Sequence, residues 1–278
     1  GMIYRGHKPV HWCKHCHTAL AEAEIEYSDE TSPSIFVRFE MTSKPAGLEN
    51  FDGPVDFIIW TTTPWTIPSD QAVSLKPGAA YVAVEHDGRA EVMLEDLAPK
   101  CCEEFGWEYT PVVVDAKPYV VPADTFHHIH YKQPIFDGVE GVALLADYVG
   151  VDDGTGIVHN SPGHGVDDYF ACLKEGITDI CMPVDDDGKF YTGEEFGTGG
   201  PFSGMDTDEA NPHIIEFLRE RGTLVLEKKI THSYPHCWRC KHPVLFRATD
   251  QWFVSMDKTG LREQAGKEVR ENVKWYPA

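Results

Sequence analysis

Ile35, Val37 and Phe39 alternate with Arg38 and Glu40, the period of two expected of a half-buried strand with one face on a core. A second strand is predicted over 55–61, stopping before Pro64, whose missing N–H cannot continue a ladder. Further short strands are predicted over 81–86, 112–114, 119–121, 156–159 and 223–230, all rich in β-branched or aromatic residues. Helical patterns are fewer. Residues 19–24, 94–105 (closed by Gly106) and 167–174 (closed near Gly176) read as helices. Asn211-Pro212 opens another that stops at Gly222, and Leu261, Ala265, Val269 and Val273 mark a last one at four-residue spacing. Many short strands between Gly, Pro and Asp turns, with helices inserted late, predict an α+β fold with a β-rich, barrel-like core and peripheral helices. Residues 85–136 carry no motif and read as a structural excursion.

Composition narrows the function classes. The 278 residues are 42% hydrophobic and 25% charged, which suits one large domain or two small ones around a real core. No run reaches the ~18 uninterrupted apolar residues of a membrane helix, so no membrane partner is expected. No apolar leader precedes a cleavage site, and Gly1 is set aside from fold reasoning. Lys and Arg total 24 against 45 Asp and Glu, a net charge of −21. Such a chain repels polyanions, which argues against nucleic-acid binding on its own. With no secretory signal, its 8 cysteines are expected as thiols in a reducing cytoplasm.

Four of those cysteines form two C-x-x-C pairs, Cys13 with Cys16 and Cys237 with Cys240. A two-residue gap lets a thiolate pair grip one ion, and two pairs complete a tetrahedral set. The predicted cofactor is therefore a structural zinc that ties the two ends of the chain together; a closed thiolate shell leaves no position for a reacting water. The plainer alternative is two unrelated pairs of buried thiols.

Thr61, Thr62 and Thr63 follow the predicted strand, and three adjacent hydroxyls at a strand end can hold a small polar ligand. Alone they also fit an ordinary strand terminus. In 154–168 a short strand delivers His159, a Ser161-Pro162-Gly163 turn reverses the chain, and Asp167-Asp168 opens a helix. One carboxylate there is explained by helix capping; two exceed that need and leave Asp168 free to meet a cation. His159 and His164 could each be packed histidines.

Four runs taken together resemble the class I synthetase family for isoleucine, valine and leucine, specifically the large proofreading insertion of its isoleucine type. They are W-C-x-x-C-x-x-A-L-A-E-A-E (12–24), W-T-T-T-P-W-T (60–66), D-D-G-T-G-I-V-H-x-x-P-G-H-G-x-D-D-Y (152–169) and the segment 234–257. Thr63, Pro64 and Trp65 favour the isoleucine type, since the valine and leucine relatives carry an arginine in the threonine strip and lack the second tryptophan. Only 85–130 follows no matching pattern.

The resemblance implies a division into 2–30 and 231–256 as two halves of a zinc-ribbon-like base, 31–230 as the editing core, and 257–278 as a helix leading back to a catalytic domain. It implies hydrolysis of valyl-tRNA(Ile), with valyl-adenylate as a second substrate and with the 3′ end of the tRNA and the rest of the synthetase in cis as partners. The catalytic group would be Thr62, Thr63, His159 and Asp168. Trp60 would flank the adenosine, Thr61 and Thr66 would wrap the aminoacyl group and ribose together with the other threonines, and His164 would complete the binding wall. Asp168 would take the α-ammonium, because a carboxylate both binds and orients it. The H-x-G-H and K-M-S-K-S motifs of nucleotide sites do not occur, so amino-acid activation is not expected of this chain. Two rival readings are a metallohydrolase using His159, His164, Asp167 and Asp168, and a non-enzymatic zinc-ribbon binding module.

Overall fold

The computed structural model describes residues 2–276. The strands are β1 (Ile3–Cys13), β2 (Thr18–Leu20), β3 (Ile25–Glu40), β4 (Val55–Thr61), β5 (Ala72–Leu75), β6 (Ala80–His86), β7 (Arg89–Leu94) and β8 (Val113–Val114). After them come β9 (Lys117–Pro118), β10 (Val120–Pro122), β11 (His130–Lys132), β12 (Glu140–Leu145), β13 (Ile157–Asn160), β14 (Leu224–Cys237) and β15 (Leu245–Val254). The α-helices are α1 (Ala98–Phe105), α2 (Val166–Lys174), α3 (Thr207–Glu220) and α4 (Leu261–Glu271).

Two mixed sheets build the core, one in the order β10-β6-β7-β4-β3-β14 and the other in the order β11-β12-β5-β13. β4 is buried at nearly every position. It lies between antiparallel β3 and parallel β7 and also runs against β13 of the other sheet. This explains why its sequence is a continuous apolar run rather than an alternating one. The α+β class holds, but the strands form separate open sheets rather than a closed barrel.

A third sheet, β15-β1-β2, carries the chain ends: β1 pairs antiparallel with β15 from Ile3↔Val254 to Trp12↔Leu245. The β3–β14 ladder joins this base to the core and runs from Ile25↔Cys237 to Val37↔Leu224, crossing positions 30/31 and 230/231 without a break.

Several local expectations are corrected. Residues 19–24 are not a helix: β2 ends at Leu20 and a 3-10 turn spans Glu22–Glu24, because Ala19 and Leu20 are claimed by the ladder with β1. The predicted helix over 94–105 begins only at Ala98, since Leu94 pairs with Tyr81 as the last residue of β7. α3 opens at Thr207 rather than at Asn211-Pro212. Asp206 caps it by accepting the Asp208 N–H at 2.9 Å, a stronger start signal than the proline inside. Residues 85–136 are not an excursion: they supply β7, β10 and β11, and Phe126 and Tyr131 are fully buried in the core. α4 forms as the spacing predicts, though none of its residues is buried and Val273 lies beyond its end. Among the described residues no helix is long and apolar enough to cross a membrane.

Candidate functional site

The threonine strip lies where the end of β4 meets the end of β13. Thr61 closes β4, and Pro64–Ser69 turns at once into a wholly buried 3-10 helix with proline in its first turn. α3 packs against that turn, and Asn211 Oδ1 accepts the Trp65 N–H at 3.0 Å. Ser161 Oγ donates to the Thr66 carbonyl at 2.7 Å and ties the strip to the other sheet. These contacts hold the hydroxyls in a chain. Thr61 Oγ1 accepts the Thr63 N–H at 3.1 Å and lies 3.2 Å from Thr63 Oγ1, which is 3.4 Å from Thr66 Oγ1. The Thr62 hydroxyl takes no part in this chain.

A cavity of about 300 Å³ opens over the strip. It is lined by Trp60, Thr61, Thr62, Thr63, Thr66, Val158, His159, Ser161, His164 and Asp168. All eight residues singled out from sequence for catalysis or substrate binding therefore share one cleft. Trp60 is fixed by donating its Nε1–H to Ser34 Oγ at 2.8 Å. Gly154, at φ 68, leaves no room beside it: a β-carbon there would lie 2.6 Å from Trp60 Cε3.

Asp168 sits in the first turn of α2, but it does not cap the helix. The N-cap is Gly165, which has no side chain to offer. The Asp168 carboxylate instead turns back toward β13. Oδ1 accepts from the Tyr148 hydroxyl and from Asn160 Nδ2, each at 3.1 Å, and Oδ2 accepts the Ser161 N–H at 3.1 Å. Three of about four acceptor positions on a carboxylate are thus filled, leaving one for a ligand. Burial and the Asp168 charge push the Tyr148 phenol up, so it stays a neutral donor. Asp167 is exposed.

His159 is buried between two partners: Nε2 lies 3.0 Å from Thr66 Oγ1 and Nδ1 lies 3.3 Å from Asp70 Oδ1. Tyr131 donates its hydroxyl to the other Asp70 oxygen. Burial pushes the Asp70 carboxyl up to about 6, with His159 and Tyr131 pulling the other way. The Thr66 hydroxyl has a single proton and two acceptors in reach, His159 Nε2 and the Thr63 carbonyl at 2.8 Å. Only one of the two can receive that proton at a time. Sequence reading missed Asp70, Tyr131, Tyr148, Asn160 and Ser161. Asp70 had a signal: an acid that follows directly on the proline-containing turn at 64–69.

His164 is set apart. Its Nδ1 lies 2.9 Å from the Phe246 carbonyl and so carries the proton, while Nε2 is buried without a hydrogen-bond partner among the described residues. Burial lowers its pKa to about 4, which keeps the ring neutral and Nε2 an acceptor. Among the described residues, His159, His164, Asp167 and Asp168 do not gather into a metal-sized cluster.

The cysteines do gather. Ligand atoms of Cys13, Cys16, Cys237 and Cys240 all lie within 4.8 Å of one another, with Cys13 Sγ 3.5 Å from Cys240 Sγ. A zinc–sulfur bond of about 2.3 Å in a tetrahedron needs sulfurs ~3.8 Å apart, so the set fits one ion. Each pair is followed by a residue in the left-handed region, His17 (φ 50) and Lys241 (φ 63), giving two matching knuckles. The Cys16 N–H points to Cys13 Sγ at 3.4 Å. Burial pushes the Cys13 thiol up to about 12, whereas at Cys237 burial is outweighed by hydrogen bonds from the Cys240 and Arg239 backbone, which bring the thiol down to about 7.

The cleft joins four threonine hydroxyls, two imidazoles and one carboxylate over mixed sheets, beside a base of four clustered thiols. The family model for tRNA synthetases class I (I, L, M and V) matches residues 1–278, and the chain belongs to that family. It is 47% identical over its whole length to an isoleucine--tRNA ligase of Nitratidesulfovibrio vulgaris (strain DSM 19637 / Miyazaki F), of which it covers 29%. It is 45% identical, again over its whole length, to that of Fervidobacterium pennivorans, of which it covers 28%. The chain thus spans under a third of these relatives. Among solved structures it is similar to GlLeuRS-CP1 at a TM-score of 0.53 and 14% identity, covering 70% of this chain and 99% of that one. It is also similar to the editing domain of the Plasmodium knowlesi cytosolic leucyl-tRNA synthetase at a TM-score of 0.52 and 10% identity, covering 71% and 96%. The fold is that of synthetase editing domains.

Proposed function

We propose that this chain is the proofreading hydrolase of an isoleucyl-tRNA synthetase and cleaves the ester of valyl-tRNA(Ile). The observation that carries the reading is the cleft lined both by Asp168, whose carboxylate keeps one acceptor position open, and by a row of threonines. Asp168 holds the substrate's α-ammonium, and an N-blocked amino acid is refused. Trp60 flanks the terminal adenosine. A bound water attacks the carbonyl, and the hydroxyls of Thr62 and Thr63 stabilise the developing oxyanion. Collapse of the intermediate breaks the ester C–O bond and the water's proton leaves on the released ribose oxygen, while Thr66 and the His159–Asp70 pair form the wall beside it. Thr61 and His164 complete the binding surface.

Such a second site answers a general limit: one methylene in an apolar pocket separates substrates by only ~1–3 kcal/mol, for which isoleucine against valine is itself the standard illustration. Here the side-chain pocket beside His159 and Val158 accepts valine and excludes isoleucine by size. Cys13, Cys16, Cys237 and Cys240 hold a structural zinc that supplies a folding constraint and no step of the reaction. The base comprises 2–30 and 231–256, the editing core 31–230, and 257–278 leads back to the rest of the enzyme. At a net charge of −21 the chain depends on that remainder for its grip on tRNA phosphates. The test is deacylation of valyl-tRNA(Ile) by the full-length enzyme with and without a disabled cleft. Equal rates with Thr62 and Thr63 both replaced by alanine would overturn the proposal.

A further inference from the structure

The far end of α2 lies against a histidine pair that plays no part in the cleft. The helix runs into Glu175 at its C-cap, whose N–H closes on the carbonyls of Ala171, Cys172 and Leu173. A carboxylate at that position sits at the negative end of the helix dipole, where a cation would be favoured. Opposite it, the 3-10 turn Ala123–Phe126 ends in His127, and His128 follows in the left-handed region at φ 64. The two imidazoles stack with centroids 3.8 Å apart and 24° between planes. The backbone beneath them is pinned, because the His128 N–H donates to the Ala143 carbonyl at 2.8 Å.

His127 Nε2 is shielded from solvent, has no hydrogen-bond partner among the described residues, and lies 3.5 Å from Glu175 Oε2. One ligand atom from each of His127, His128 and Glu175 falls within 4.8 Å of the others. A buried nitrogen lone pair without a partner, two imidazoles that would repel if both were protonated, and a carboxylate at a helix C-terminus all call for one positive ion between them.

We propose that His127, His128 and Glu175 form a second metal site, separate from the four-cysteine cluster, for a divalent transition ion, with Zn²⁺ as the best match. Two imidazoles and a carboxylate are the donor set such ions prefer when thiolates are absent. Ligand distances of ~2.0–2.2 Å require ligand atoms ~3.4 Å apart, so the group must tighten slightly. The exposed His128 side chain and the half-buried Glu175 can supply that by rotation. The fourth position faces water, so the ion exchanges readily, unlike one in a closed thiolate shell. A simple His127–Glu175 ion pair, the competing explanation, would leave no dependence on metal.

The experiment is metal counting on the purified 278-residue chain after equilibration with Zn²⁺ and desalting. The wild type is expected to hold about two zinc ions per chain, falling to about one after a brief wash with a modest chelator. His128→Asn is the main variant: asparagine accepts the left-handed backbone but replaces the imidazole ligand. It should hold about one ion before and after the wash, as should Glu175→Gln. Cobalt(II) titration separates the sites, because the first equivalent gives strong sulfur-to-metal absorption and the second adds none. A wild type that never exceeds one zinc, a His128→Asn chain that still holds two, or a second cobalt equivalent with further sulfur absorption would each overturn the proposal.

Discussion

Replacing Asp168 by asparagine separates an ammonium anchor from a structural acid, and the geometry sets the size of each effect. The carboxylate accepts from Tyr148, Asn160 and the Ser161 N–H. An amide keeps a single acceptor oxygen, and the fixed Ser161 N–H claims it. The new NH₂ then faces the Asn160 NH₂, while the Tyr148 hydroxyl can rotate to accept. One hydrogen bond is lost and two donors are set against each other, a cost of ~1–2 kcal/mol in stability. For a chain of this size that lowers the melting temperature by a few degrees, roughly 2–4 °C per kcal/mol. Activity should fall further. Losing the charge that orients the ester removes ~3 kcal/mol or more of transition-state stabilisation, a hundredfold or greater drop in rate. Deacylation of valyl-tRNA(Ile) by the full-length enzyme measures the rate, and circular dichroism of the same variant confirms it is folded at assay temperature. Asp167→Asn, at an exposed position, serves as the control and should be near wild type in both. If folded Asp168→Asn deacylates at close to the wild-type rate, the anchor lies elsewhere and the assignment of this wall fails.

Two further outcomes follow from the same structure. Cys237→Ser should abolish tight zinc binding at the base and lower the melting temperature of the chain, with the difference from wild type largest when zinc is present and smallest once a chelator strips both; a fully folded variant that retains its zinc in a closed sulfur shell would contradict the cluster. Asp70 gives a pH-dependent test. Its carboxyl is raised to about 6 in the fold from an ordinary 3.8, so the protonated form is the one folding favours. That contribution is complete below the unfolded value and is lost as pH rises through about 6, a swing of ~3 kcal/mol for a shift of about two pH units. Asp70→Asn cannot ionise, so its stability relative to wild type should improve by up to that amount between about pH 4 and pH 7. Urea unfolding at several pH values reads this directly, and a difference that stays flat across the range would show that Asp70 is not held in its raised state.

What the chain determined by itself was what short-range rules can determine. β4 ends just before Pro64 removes a donor, the two C-x-x-C knuckles need only local backbone to present their thiols, and Gly165 must be small because Asp168, three residues on, presses against it. Those signals, read with the family resemblance, singled out eight of the residues that line the cleft and the four cysteines that cluster at the base. The tertiary structure decided which groups complete them. Asp70 becomes a partner of His159 only because β13 pairs with β5 at His159↔Val73, and it is capped by Tyr131 from a strand 61 residues further along the chain. Asp168 is freed from capping because Gly165 takes the N-cap position, while Asn160 and Tyr148 converge on its carboxylate from β13 and from the segment after β12. Such convergence depends on sheet order and register, which are set by the burial of whole faces at once, and no local pattern of residues encodes it.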